Sequence, residues 1–186
     1  MASTTASAER TGALPALRRL YVLRFAFAAA WAVLLLLSGS ELTLGTRLLL
    51  FVYPAFDVAA AVVDARSARA SGPVKGLYVN MAVSALTAVG VLIAGTSGVA
   101  DVLRVWGAWA VVSGLIQLLV GVARRPMGGQ WAMILSGGIS VLAGAGFIRS
   151  ASQDNPSLTS LAGYATLGGI FFLASAIRLS RATTGR

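Results

Sequence analysis

The stretch from Val105 to Ile148, VWGAWAVVSGLIQLLVGVARRPMGGQWAMILSGGISVLAGAGFI, leaves this chain few folds to choose from. Two long apolar segments flank a short basic turn, Arg124-Arg125-Pro126-Met127-Gly128-Gly129. The first segment, Val102 to Val122, carries no charge after Arg104, and the second, Trp131 to Ile148, carries none. A helix needs about 20 such residues to cross a hydrocarbon core of about 30 Å. Lipid offers the backbone no water, so a lone apolar stretch of this length crosses as a helix. The pattern predicts a transmembrane hairpin with its arginine turn held at one surface.

The rest of the chain follows the same pattern. At 57% hydrophobic and 11% charged residues, with mean hydropathy +0.81, it lies outside the range of soluble domains. Six spans are expected, at about Leu20–Leu37, Thr46–Val63, Leu77–Ala94, Val102–Val122, Trp131–Ile148 and Leu158–Ile177. The first run is longer than a signal-peptide core and no A-x-A site follows it, so it reads as a retained helix. The expected organisation is a disordered cytoplasmic tail over 1–19, a transmembrane domain over 20–179, and a short basic tail over 180–186. The fold class is all-α, an integral membrane six-helix bundle.

Twelve basic residues fall on one side of these spans: Arg10, Arg18, Arg19, Arg24, Arg66, Arg69, Lys75, Arg124, Arg125, Arg178, Arg181 and Arg186. Only Arg47, Arg104 and Arg149 fall on the other, which predicts cytoplasmic termini. Tyr21, Tyr78 and Trp131 open the odd helices, and Trp106 and Trp109 are expected toward the outer end of the fourth. Amphipathic rings settle at headgroup depth, so all five are read as interfacial belts. The net charge of +9 is scattered between apolar runs and forms no stripe, which favours anionic lipid over nucleic acid as its partner.

The even helices repeat. YPAFDVAAAVVDA (Tyr53–Ala65), WAVVSGLIQLLVG (Trp109–Gly121) and YATLGGIFFLASA (Tyr164–Ala176) align without a gap, so Asp57, Ser113 and Gly168 become equivalent. This predicts three tandem helical hairpins in parallel repeat around an axis along the membrane normal. Small residues should bring the helices together, because lipid supplies no hydrophobic drive between them. Gly107, Gly114 and Gly121 share one face at heptad spacing, and Ser136, Ser140 and Gly144 form a ladder on the next helix. Asn80, Ser84 and Thr87 form a polar stripe on the third span. A homo-oligomer is left open.

With hairpin and repeat in view, the chain resembles the HdeD-like family of small bacterial membrane proteins, built from a short repeated domain. The resemblance rests on GAWAVVSGLIQLL (Gly107–Leu119), the basic turn, GGQWAMILSGGISVLAG (Gly128–Gly144) and LAGYATLGGIFFLASAIRL (Leu161–Leu179). It covers most of the chain from about Leu48 onward, and the first helix matches poorly. It implies a multi-pass protein of the bacterial inner membrane with a non-enzymatic, membrane or stress-associated role. Fourteen arginines against one lysine, with abundant alanine, look like an actinobacterial member. The acid resistance associated with the family's name-giver does not carry over on these residues.

Chemistry has few candidates. Cysteine and histidine are absent, which removes disulfides, thiolate and imidazole metal ligands, and the commonest catalytic bases. Asp64-Ala65-Arg66 shares a fragment with the start of the CDP-alcohol phosphotransferase motif, but the paired acids of a metal cage are missing. Gly128-Gly129 follows no strand and lacks a phosphate-loop lysine, so it reads as a turn. No enzyme, metal or cofactor is expected.

The anomaly is Asp57, near the middle of the second span. A lone carboxylate at mid-bilayer costs about 2.5–3.5 kcal/mol on insertion scales, so such an acid faces the bundle interior or a wet cavity. One reading makes it a neutral acid hydrogen-bonded to Ser113, Gln117, Ser84 or Thr87, with no cation at its depth. The other makes Asp57, with Ser113, Gln117, Asn80, Ser84 and Thr87, a proton or cation site of a small transporter or channel. Pro54, Asp57, Ala61 and Asp64 would then form a polar track on one helical face.

Overall fold

A computed structural model of the chain describes residues 2–38, 41–68, 75–123, 125 and 130–184. Six helices follow one another: α1 (Ala2–Ser38), α2 (Leu44–Ala68), α3 (Lys75–Ser97), α4 (Val99–Ala123), α5 (Trp131–Ser150) and α6 (Thr159–Thr184). Each contains a segment long and apolar enough to cross a membrane: Leu17–Ser38, Leu44–Val63, Gly76–Ser97, Val99–Ala123, Trp131–Ser150 and Thr159–Arg181. The protein is therefore an all-α, multi-pass membrane bundle. Its outer surface is apolar, with Leu86 and Leu142 about three-quarters exposed, as acyl chains require of a lipid-facing side.

Helix extends further than composition suggests. The segment read as a tail over 1–19 is helical from Ala2, and α6 continues through residues 180–184. Alanine, arginine and glutamate are good helix formers, and helix propagates from a stable span at little cost per residue. The turns are equally economical. Thr43 caps α2, its Oγ1 accepting from the Thr46 N–H at 3.2 Å. Between α3 and α4 a single residue, Gly98, turns the chain at φ 138°, which L side chains rarely adopt.

The helices form a closed ring in chain order, with α1 returning against α6. Close packing falls on α4/α5, α1/α6 and α2/α3, while α1/α2, α3/α4 and α5/α6 touch more lightly. The three tight seams thus alternate with the three lighter ones around the ring.

Glycine closes the tightest seam. A Cβ on Gly114 would lie 2.8 Å from the Gly137 carbonyl oxygen, and one on Gly144 would lie 2.5 Å from that of Gly107. A Cβ on Gly121 would meet Ile134 at 2.9 Å. The backbones of α4 and α5 are in direct contact. Ser140 lies in this seam, but the step assigned to Ser136 belongs to Gly137, whose own Cβ would meet the Leu118 nitrogen at 2.7 Å. Ser136 is half-buried one residue to the side. A helix turns 100° per residue, so the one-residue step from Ser136 to Gly137 is what brings the third position onto the face of Ser140 and Gly144.

At the centre lies an aromatic cluster. Trp31 stacks on Trp106 with ring centroids 5.4 Å apart, Trp106 meets Trp109 edge-on at 5.0 Å, and Tyr53 packs against all three. Trp106 is 0% exposed, so it and Trp109 are core residues and not the interfacial belt expected of them. They lie seven and ten residues into α4, about 10–15 Å from its start. Trp131, by contrast, is 68% exposed at the start of α5 beneath the guanidinium of Arg125, 4.9 Å from its ring centroid.

Candidate functional site

The polar centre is built where α1, α2 and α3 meet. Arg24 lies seven residues inside the start of the Leu17–Ser38 span, and Asp57 lies six residues before the end of Leu44–Val63. Successive spans run in opposite directions, so both residues sit about 10 Å from the same end of the bundle. Nη2 of Arg24 donates to Oδ1 of Asp57 in an ion pair. The side chains are 13% and 14% exposed, respectively.

The other carboxylate oxygen is held by α3. Asn80 and Ser84 are four residues apart and share a helical face. Asn80 Nδ2 donates to Asp57 Oδ2 at 2.9 Å, and Ser84 Oγ donates to the same atom at 2.8 Å. Ser84 also accepts, from Trp109 Nε1 on α4 at 3.1 Å. A hydroxyl can do both at once. On its far side Arg24 lies over the ring of Phe172 on α6, 4.3 Å from the centroid, a cation–π contact. One carboxylate thus connects side chains on five helices.

The expectation of a neutral acid with no cation at its depth is overturned by Arg24. Counting the first span from Leu20 put that arginine near the surface; the span starts at Leu17, which carries it inward to the level of Asp57. An acid and a guanidinium cross the bilayer far more cheaply together than alone, since each cancels the other's field.

Among the residues grouped with Asp57, Asn80 and Ser84 reach it and the others do not. Thr87 is buried, but its Oγ1 donates at 2.8 Å to the Val83 carbonyl of its own helix. Ser113 Oγ is buried with no hydrogen-bond partner among the described residues, and Gln117 is half-buried on α4. The proposed track along α2 is closed at Ala61, which is 1% exposed, while the side chain of Asp64 lies outside the described residues. Sequence reasoning missed Arg24 and Trp109 as members of the site. Matching depth on antiparallel spans was the signal for Arg24; Trp109 carries no charge to betray it.

Beside the ion pair is a cavity of about 20 Å³ lined by Arg24, Phe27, Tyr53, Phe56, Asp57 and Phe172. Above it Pro54 withholds an N–H from the Leu50 carbonyl, and the Trp31 indole donates to the neighbouring Leu49 carbonyl at 2.6 Å. Among the described residues no group of three acids could hold a metal ion. Chemically the site is a charge-neutral, hydrogen-bonded tie.

Comparison of the chain with protein-family models, with curated proteins and with solved structures finds no match.

Proposed function

We propose that this chain is a non-catalytic, HdeD-like component of the bacterial inner membrane, with both termini in the cytoplasm and a membrane or stress-associated role. Its polar centre serves to fasten helices together. One observation carries this reading: both carboxylate oxygens of Asp57 are already engaged, Oδ1 by Arg24 and Oδ2 by Asn80 and Ser84. A carboxylate held by a guanidinium and two further donors is poorly placed to take up and release a passing ion. The motifs around Gly107–Leu119, Gly128–Gly144 and Leu161–Leu179 support the family. The twelve-to-three distribution of basic residues supports the orientation.

A second reading, a small proton or cation transporter working through Asp57, is favoured by the cavity that abuts the pair. Flux assays separate the two. Proteoliposomes of the wild type should pass protons and monovalent cations no faster than empty vesicles. Flux well above that level, abolished in a folded Asp57→Asn variant, would overturn the structural reading.

A further inference from the structure

The aligned aromatics at the head of the even helices have different fates. Trp109 donates to Ser84 on the preceding odd helix, and Tyr164 OH donates to Ser140 on its own preceding helix at 3.0 Å. These pairs are separated by 25 and 24 residues. The same separations from Tyr53 lead to Ala28 and Ala29 on α1, which have no hydroxyl. The Tyr53 hydroxyl accordingly makes no hydrogen bond among the described residues. Instead Tyr53 lines the cavity of about 20 Å³ together with Arg24 and Asp57.

We propose that this cavity is a hydration site, in which one water molecule takes the place of the missing serine and joins the Tyr53 hydroxyl to the Arg24–Asp57 pair. The dimensions and chemistry agree. A space of about 10–15 Å³ or more holds one water when two to four polar partners surround it. Tyrosine hydroxyl, guanidinium and carboxylate supply three. Phe27, Phe56 and Phe172 complete the wall and leave no room for a larger polar ligand. A phenol in an apolar interior without a partner is destabilising, and a bound water relieves most of that loss. The first repeat is thereby wet at the depth where the second and third are joined dry.

Hydroxyl-radical footprinting of the whole chain in lipid nanodiscs tests this, because radiolysis oxidises side chains that touch water. Tyr53 and Phe56 should be oxidised several-fold faster than Trp106, which is equally central but lines no part of the cavity. Phe172→Trp, which fills the space from α6, should bring Tyr53 down toward the Trp106 level. Wild-type Tyr53 as protected as Trp106 would overturn the site. So would unchanged oxidation of Tyr53 in a folded Phe172→Trp protein. The inference stands apart from the flux result: protected Tyr53 with background flux removes only the water, and flux above background removes only the purely structural role.

Discussion

Arg24 on α1 and Asp57 on α2, 33 residues apart in sequence, form an ion pair inside the bundle. Its consequences extend to helices that carry no charge there. Asn80, Ser84 and, through Ser84, Trp109 are aligned on one carboxylate oxygen. Folding must bring four spans, α1 to α4, into register before the whole network is complete.

Ser84 is the hinge of this alignment, since it donates to Asp57 and accepts from Trp109. Ser84→Ala removes both bonds and leaves the indole N–H buried without a partner. A loss of about 1–3 kcal/mol is expected. Trp109→Phe removes the donor together with its need and should lose less, about 1 kcal/mol. Thermal unfolding of the purified proteins in one detergent should rank Ser84→Ala below Trp109→Phe, and both below wild type.

Two glycines on facing and averted sides of the bundle should respond oppositely to a methyl group. Gly114 has no room for one, with the Gly137 carbonyl and Ser140 Cβ both at 2.8 Å, whereas nothing lies within 4 Å of Gly138. Gly114→Ala should separate α4 from α5 and destabilise by about 1–3 kcal/mol. Gly138→Ala should be neutral or slightly stabilising, because alanine is the better helix former. The same unfolding measurement checks both.

Orientation is open to labelling on a background without native cysteine. Single cysteines at Ser67 and Gly128 should be shielded from an impermeant thiol reagent in intact cells. Cysteines at Ser97 and Ser152, which are exposed at the opposite ends of the spans, should react. The reverse pattern would invert the proposed topology.

Six spans were readable from hydropathy because bilayer thickness fixes helix length, and the observed spans exceed the expected ones by only a few residues at their ends. The glycine seam of α4 was readable for a similar reason, since heptad spacing selects one face. What hydropathy did not reveal was depth. Three residues at the start of the first span decide whether Arg24 is a headgroup anchor or the partner of Asp57. Trp106 and Trp109 were misplaced by the same error in depth, because tryptophan suits both interface and core and only packing decides between them. The step at Gly137 is not legible in the pattern, because Ser136 and Gly137 are both small and only the packing against Leu118 distinguishes them.

A double-mutant cycle on Arg24 and Asp57 tests the central claim most directly. Asp57→Leu leaves a buried guanidinium unpaired, and Arg24→Met leaves a buried carboxylate; each should destabilise by about 3–5 kcal/mol. Asp57→Asn should be destabilising too, since it keeps the shape of the acid and loses the charge. The double variant Arg24→Met with Asp57→Leu removes both charges and should recover most of the loss, unfolding close to wild type. Strong coupling of this kind is the predicted result. Two independent losses that simply add in the double variant would contradict an ion pair at the core of this fold.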